Sequence, residues 1–202
     1  MLNFTVYDLQ DWGCWLTMQG VEHIYLYDNA HTKLERIDPS FLQFKHTYIP
    51  WRQTNYFKAQ QSAYTHFVAT YSNLTKWFVS VDVDEYVYAG KNKTLRAWLQ
   101  EYEKQNPSTT QILMQNQIYV GPPTHPMGKR RIDRYRRRFS DTEGKKGTWE
   151  SRLKPIVKSD DVSRNVVSNV HAYPMRYGTT NVVSSSELVV WHFWCERVLE
   201  YN

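Results

Sequence analysis

Residues 77–88 read WFVSVDVDEYVY, an apolar run that ends in two acidic side chains separated by one residue. A run such as WFVSV is typical of a strand covered on both faces, so Asp82 marks the point where the strand leaves the core. Open α/β sheets bind their ligands at the carboxyl ends of the strands. The stretch therefore predicts an α/β fold whose functional site includes Asp82 and Asp84.

These two carboxylates have the chemistry of a divalent-metal site. Carboxylate oxygens favour Mg²⁺ or Mn²⁺, and such an ion neutralises the charge that grows on a departing diphosphate. Two histidines also follow apolar runs, His192 after ELVVW and His171 after NVVSNV. We expect Asp82, Asp84 and one of these histidines to hold the metal, and the spacing leaves open which histidine it is.

The segments around this stretch alternate between strand and helix patterns. Thr94 is a candidate N-cap for a helix that stops at Asn106-Pro107. The rhythm predicts a mixed, mainly parallel sheet flanked by helices. Strands are expected at residues 2–7, 21–28, 48–50, 77–88, 111–120, 152–158, 165–173 and 187–194. Helices are expected at residues 9–18, 57–71 and 94–105, and from residue 196.

Length and charge narrow the class of protein. The chain has 202 residues and is 41% hydrophobic, which suits one globular domain. Its formal charge is +5, which favours an anionic partner, although a solvated basic face explains the same charge. The basic excess lies in a Gly- and Pro-containing segment, 121–148, which we interpret as a loop flanking the site. Its basic members are Lys129, Arg130, Arg131, Arg134, Arg136, Arg137, Arg138, Lys145 and Lys146.

Cysteine content excludes disulfide-rich and multi-cysteine zinc proteins, and hydropathy argues against a membrane span. Cys14 and Cys195 are the two cysteines, so a disulfide framework and a multi-cysteine zinc site within the chain are excluded. Neither a signal peptide nor a run of about 18 apolar residues is visible. We therefore expect a soluble protein of a reducing compartment, the cytoplasm, without a membrane span.

Two blocks of the sequence resemble glycosyltransferase family 92 and related family-2-like enzymes. The first extends from Asp11-Trp12 to GVEHIYLYDN at residues 20–29, and the second from Lys76-Trp77 to DVDEY at residues 82–86. KPIV at residues 154–157, the later His171, and the Trp191–Phe193 segment are similar to further elements of the family. The resemblance covers most of the chain and implies a GT-A fold, a nucleotide-sugar donor and a divalent cation.

The resemblance also assigns donor contacts. In such a fold the ends of the first two strands face the nucleoside, which gives this role to Val6 and Tyr7 and to Asp28 and Asn29. A plain core strand explains the first pair nearly as well, and an Asx-type turn explains the second equally well.

Cationic side chains are needed near the diphosphate, and Lys154, Arg197 and the arginines of the basic segment are candidates for that role, although ordinary surface charge explains most individual members of the segment. The chain departs from the family here. The serine of the family's K-S-I element is Pro155, and the lysine that follows its H-Y element is replaced by Glu196 or Arg197.

The expected reaction is transfer of a sugar from a UDP-sugar to a hydroxyl of a glycan or glycoprotein acceptor. If the reaction inverts the anomeric centre, a base must remove the acceptor proton, and Glu150 is our candidate. We expect residues 1–202 to form one GT-A domain of a longer chain, with a nucleotide-binding part at about 1–90 and an acceptor part at about 91–202.

Two other function classes remain open at this stage. Residues 129–138, with Tyr135 and Phe139 nearby, suit a nucleic-acid-binding module, whose affinity would fall steeply with salt and ignore Mn²⁺. Paired acids also serve metal-dependent phosphodiesterases and nucleotidyltransferases, which would release UMP or pyrophosphate in place of UDP. Nucleic acid is not among the partners we expect.

Overall fold

The computed structural model describes residues 5–30, 37–53, 55–90, 92–121, 131–134, 137–138, 152–164, 167 and 169–195. Four α-helices lie in these ranges, and none of them is long and apolar enough to cross a membrane. The helices are α1 (Val6–Met18), α2 (Tyr56–Thr70), α3 (Leu95–Gln105) and α4 (Arg131–Arg134).

The same ranges contain nine β-strands in two sheets. In the first half of the chain lie β1 (Ile24–Asp28), β2 (His46–Pro50), β3 (Trp77–Val79) and β4 (Glu85–Ala89). They are followed by β5 (Thr109–Gly121), β6 (Arg137–Arg138), β7 (Lys154–Lys158), β8 (Thr179–Val182) and β9 (Leu188–Cys195). Strands β1 and β2 pair in parallel as a separate two-stranded sheet.

The larger sheet is mixed and follows the order β3-β7-β5-β9-β4, with β6 and β8 also paired to β5. The β3–β7, β7–β5, β5–β6 and β9–β4 pairings are antiparallel, whereas β5–β8 and β5–β9 are parallel. The expected mixed α/β architecture is therefore present, but a mainly parallel sheet is not confirmed. Residues 80–84 join β3 to β4, the two ends of this order, so the sheet has to curl to let so short a connection span it.

A capping box starts α1 and explains why the predicted strand at residues 2–7 is wrong from Thr5 onward. The Thr5 hydroxyl accepts a hydrogen bond from the Asp8 amide (3.1 Å), and the Asp8 carboxylate accepts one from the Thr5 amide (3.2 Å). Val6 and Tyr7 therefore lie in the first helical turn, and the Tyr7 side chain is exposed. The expectation that they end a strand beside the nucleoside loses its structural basis.

Helix α1 packs directly on β4 and fixes the position of that strand. Leu9, Trp12 and Leu16 form its buried face. The Trp12 indole donates a hydrogen bond to the Glu85 carbonyl (3.0 Å), and the Trp15 indole donates one to the Val87 carbonyl (2.8 Å). These bonds satisfy carbonyls along β4 and anchor the start of that strand.

The predicted strand at residues 165–173 is also wrong within its described part, residues 167 and 169–173, which form turns and irregular backbone. The side chain of Gln111 makes the hydrogen bonds to Tyr173 that a partner strand would otherwise make. The Tyr173 amide donates to the Gln111 side-chain oxygen (2.7 Å), and the Gln111 side-chain nitrogen donates to the Tyr173 carbonyl (3.3 Å). Backbone groups satisfied in this way need no sheet ladder.

Candidate functional site

The acidic stretch is a turn that interrupts the single strand predicted over residues 77–88. The Glu85 amide donates a hydrogen bond to the Asp82 carbonyl (2.9 Å), and the Asp82 amide donates one to the Glu85 carboxylate (2.8 Å). Strand β3 ends before this turn and β4 begins at Glu85. The turn therefore lies between two strands, with Asp82 and Asp84 inside it.

Lys154 reaches this turn from β7. Its ammonium nitrogen lies 2.8 Å from a Glu85 carboxylate oxygen and 3.1 Å from an Asp82 carboxylate oxygen. Burial alone would lower the pKa of Lys154, but Glu85 and Asp82 outweigh that effect and raise it well above its ordinary value. Lys154 is thus a buried cation held by the acidic turn, and its predicted contact with donor phosphates stays a prediction.

Asp84 is paired with His192 across the β4–β9 ladder. Glu85 and His192 are register partners, and the Phe193 amide donates a hydrogen bond to the Asp84 carbonyl (2.8 Å). The His192 Nε2 atom lies 3.5 Å from Asp84 Oδ2, and its Nδ1 atom lies 3.6 Å from Glu85 Oε1. Asp84 is buried, which differs from the exposed strand end that the sequence suggested.

Burial and the neighbouring charges shift the pKa values of His192 and Asp84 in opposite directions. Burial alone would lower the pKa of His192, but the Asp84 and Glu85 carboxylates more than offset it and raise the pKa to about 8. Burial would likewise raise the pKa of Asp84, but His192 and Arg131 outweigh it and leave the pKa below its ordinary value. The pair is therefore an ion pair at neutral pH.

His171, the other candidate histidine, lies near Lys154 and Asp82. Its Nδ1 atom and the Leu153 carbonyl share a hydrogen bond of 2.9 Å, which sets the orientation of the ring. Burial lowers the pKa of His171, and the Asp82 charge opposes that effect only in part. His171 therefore flanks the turn on the Lys154 side, whereas His192 contacts Asp84.

The pair of Asp84 and His192 has the donor chemistry of a metal site. Two ligands that each lie about 2.1 Å from one ion can be 3.5 Å apart, as Asp84 Oδ2 and His192 Nε2 are. Within the described ranges, no three His, Cys, Asp or Glu side chains are grouped so as to hold an ion. Mg²⁺ commonly takes one or two protein carboxylates together with substrate phosphates and water, so the pair fits an ion shared with a diphosphate.

Gln60 of α2, which the sequence did not single out, orients Asp82, and Tyr64 of the same helix contacts Gln60. The Gln60 side-chain nitrogen donates a hydrogen bond to Asp82 Oδ1 (3.0 Å) and another to the Tyr64 hydroxyl (3.2 Å). Burial and the nearby Asp82 raise the pKa of Tyr64 well above its ordinary value. In the sequence, the i, i+4 spacing of Gln60 and Tyr64 indicates only that both lie on one face of the helix.

Arg131 differs from the surface cation expected of the basic segment. Its side chain is 3% exposed, and its Nε atom lies 3.7 Å from Asp8 Oδ1. One of its terminal nitrogens donates a hydrogen bond to the Phe193 carbonyl (3.2 Å). Arg131 therefore links α1 and β9 behind the Asp84–His192 pair and does not belong to an exposed basic patch.

Asp28 ends β1 and forms an Asx-type turn with Asn29. The Ala30 amide donates a hydrogen bond to Asp28 Oδ1 (2.9 Å), and the Gln53 amide donates one to the Asn29 side-chain oxygen (2.8 Å). The Tyr48 hydroxyl donates to the second Asp28 carboxylate oxygen. The Asx-type turn, the alternative explanation for Asp28 and Asn29, is thus present. Contact of these two residues with a nucleoside stays a prediction.

Comparison with known proteins decides which enzyme class this geometry belongs to. The model of glycosyltransferase family 92 matches residues 11–193, which include α1 from Asp11 onward, the acidic turn, Lys154 and His192. The chain belongs to glycosyltransferase family 92. No curated protein matches it at a significant level.

Membership makes the family 92 domain a glycosyltransferase, an enzyme that takes a sugar donor and an acceptor. Two predicted site residues, the candidate base Glu150 and the phosphate candidate Arg197, lie outside the described residues. Most of the basic segment 121–148 also lies outside them. Its described parts beyond Gly121 are α4 and β6, and β6 pairs with Tyr119 and Val120 of β5.

The ion pair of His192 predicts how stability of the metal-free family 92 domain depends on pH. The pKa of His192 rises from 6.5 to about 8 on folding, so the pair contributes about 2 kcal/mol, fully present below pH 6.5 and lost as pH rises through 8. Urea unfolding with a chelator at pH 6 and pH 9 measures this loss. The His192→Gln variant should lack that part of the pH dependence, and equal pH dependence in both proteins would contradict the assignment.

Proposed function

We propose that this family 92 domain is a GT-A type enzyme that transfers a sugar from a UDP-sugar to a hydroxyl of a glycan or glycoprotein, with Mn²⁺ or Mg²⁺. The observation that carries the proposal is the 3.5 Å approach of Asp84 to His192 at the turn between β3 and β4. A carboxylate and an imidazole at this separation suit a divalent ion that also binds a diphosphate.

In this proposal Asp84 and His192 hold the ion, and His171 is the alternative histidine. The ion, when bound, neutralises negative charge on the departing nucleoside diphosphate. Asp82 is the more exposed acid of the turn, with 36% of its side chain accessible, and Gln60 and Lys154 hold it in place. That exposure suits Asp82 to contact the ion or the nucleotide directly.

The remaining roles follow the sequence expectations. Asp28 and Asn29 would contact the nucleoside, and Arg197, together with Lys154 if it is released from the turn, would contact the diphosphate. Glu150 would act as the base if the reaction inverts the anomeric centre.

Binding and product measurements test the proposed function. We expect UDP and a UDP-sugar to bind in calorimetry only when Mn²⁺ or Mg²⁺ is present, and UDP to be the nucleotide released. The expectation rests on the ion bridging the Asp84–His192 pair to the diphosphate, so UMP should bind far more weakly than UDP.

Other results would contradict this reading in distinct ways. UMP or pyrophosphate as the product would indicate a phosphodiesterase or nucleotidyltransferase. Binding of oligonucleotides that falls steeply with salt and ignores Mn²⁺ would indicate a nucleic-acid-binding module.

A further inference from the structure

Glu85, the residue that follows the two aspartates, lies at the centre of the site and is almost completely buried, with 1% of its surface exposed. One of its carboxylate oxygens accepts hydrogen bonds from the Asp82 amide and from Lys154, both at 2.8 Å. Its other oxygen lies 3.6 Å from the His192 ring. A single side chain thus contacts the turn, the buried lysine and the candidate metal-binding histidine.

Lys154 reaches Glu85 from β7, the strand next to β3 in the sheet order. It lies in β7, which is hydrogen-bonded to β3 and β5, whereas Glu85 lies in β4, which is hydrogen-bonded to β9. The Glu85–Lys154 pair therefore connects β4 with β7, and the Lys154 ammonium also lies 3.1 Å from Asp82 in the turn. The pair thus contacts Asp82 on one side, and its Glu85 member lies 3.6 Å from His192 on the other.

We infer that Glu85 and Lys154 are positioning residues, which hold Asp82, Asp84 and His192 at the spacing needed to bind the metal without contacting metal or donor themselves. The inference rests on the proposed function and changes it at one residue, because Lys154 stays paired with Glu85 as a positioning residue and does not make the diphosphate contact proposed for it above. A buried ion pair contributes little net stability, and its best-attested use is to specify one arrangement over others.

A purely electrostatic role and a positioning role for Lys154 predict opposite changes in Mn²⁺ affinity when the lysine is replaced. Removing a cation beside the Glu85 and Asp82 carboxylates should strengthen Mn²⁺ binding if only charge matters. If Lys154 binds the diphosphate, Lys154→Met should weaken UDP binding and leave the affinity for Mn²⁺ alone unchanged or stronger. If the pair positions the ligands, the same change should weaken the binding of Mn²⁺ alone.

The double variant Glu85→Gln/Lys154→Met gives the cleanest measurement, because it removes one positive and one negative charge and leaves the net charge unchanged. It also avoids the isolated buried charge that either single change leaves, which would destabilise the fold. We expect its affinity for Mn²⁺ alone, measured by calorimetry on the 202-residue chain, to fall about tenfold or more, the range typical of lost outer-shell support. Retained circular dichroism would show that the variant is folded.

A matched control lies on the same strand. Lys158 is also in β7 and pairs with Asp161 at 3.8 Å, with 23% of its side chain exposed. Lys158→Met should leave Mn²⁺ affinity within about twofold of the unaltered chain, since surface ion pairs contribute little. Lys154→Arg, which keeps the charge, should recover part of the affinity.

The outcomes separate this inference from the proposed function. Unchanged or stronger Mn²⁺ binding by the folded double variant would overturn the positioning role and leave the proposed function standing. Mn²⁺-dependent UDP binding that is absent from the unaltered chain would overturn both. Weaker Mn²⁺ binding by the double variant, with Lys158→Met unchanged, would support positioning.

Discussion

Replacing Asp84 with asparagine is expected to reduce the Mn²⁺-dependent affinity for UDP about 100-fold or more. The amide keeps the shape of the side chain but removes the anionic oxygen that lies 3.5 Å from His192. Loss of outer-shell support alone costs about 10- to 100-fold in metal affinity, so loss of a direct ligand should reach at least the upper end. Calorimetry of UDP with and without Mn²⁺ measures the change.

Asparagine is a better test than alanine because Asp84 is buried, and the amide keeps its volume and a hydrogen-bond acceptor where an alanine would leave a cavity. His171→Ala is the matched control, since His171 flanks the turn without a place in the Asp84–His192 pair. Unchanged UDP affinity in folded Asp84→Asn would contradict the metal assignment. A larger loss in His171→Ala than in His192→Ala would transfer the ligand role to His171.

Replacing Arg131 with methionine is expected to destabilise the domain by about 3–5 kcal/mol. The change keeps an unbranched apolar side chain but removes a buried guanidinium 3.7 Å from the carboxylate of Asp8, which is also buried. It also removes the hydrogen bond to the Phe193 carbonyl. Equilibrium unfolding in urea gives the difference in the free energy of unfolding.

Arg96→Met provides the comparison for Arg131. Arg96 also pairs with an acid, Glu22, at 2.7 Å, but 56% of its side chain is exposed, so its loss should cost no more than about 1 kcal/mol. Equal destabilisation by the two changes would mean that the burial of Arg131 has no energetic consequence.

Local signals in the sequence predicted the helices and several strands. Thr94 caps α3 as expected, accepting a hydrogen bond from the Ala97 amide (3.2 Å), and α3 ends at Gln105 before Asn106-Pro107. The helices expected at residues 9–18 and 57–71 are confirmed as α1 and α2, and the strand ending at residue 28 is confirmed as β1. These features depend on neighbouring residues, which the sequence displays directly.

The errors have a common physical cause, which is competition from a hydrogen bond that an apolar pattern does not reveal. The Thr5–Asp8 capping box turned an apparent strand into a helix start. The Glu85 side chain bonded the Asp82 amide and broke an apparent single strand in two. Gln111 satisfied the Tyr173 backbone and removed the need for a strand there.

The candidate site was predictable only in part. Asp82 and Asp84 stood out because they directly follow an apolar run, whereas the turn that holds them was predicted as part of one strand. The closeness of Asp84 to His192 depends on the register of β4 against β9, and the burial of Arg131 depends on how its short helix meets α1. Such contacts join residues far apart in the chain, and a single sequence carries no direct signal for them.

The position of the acidic turn between the two ends of the strand order has a consequence for the sequence of folding events. Strand β3 is held through Val157 and its neighbours in β7, and β4 through residues 188–192 of β9, all of which lie far later in the chain. Contacts of such long sequence separation form slowly, because the intervening chain must first be closed into a loop. During synthesis from the N-terminus, Asp82 and Asp84 therefore leave the ribosome long before the strands that give them their geometry. Binding competence should arise as one of the last events of folding.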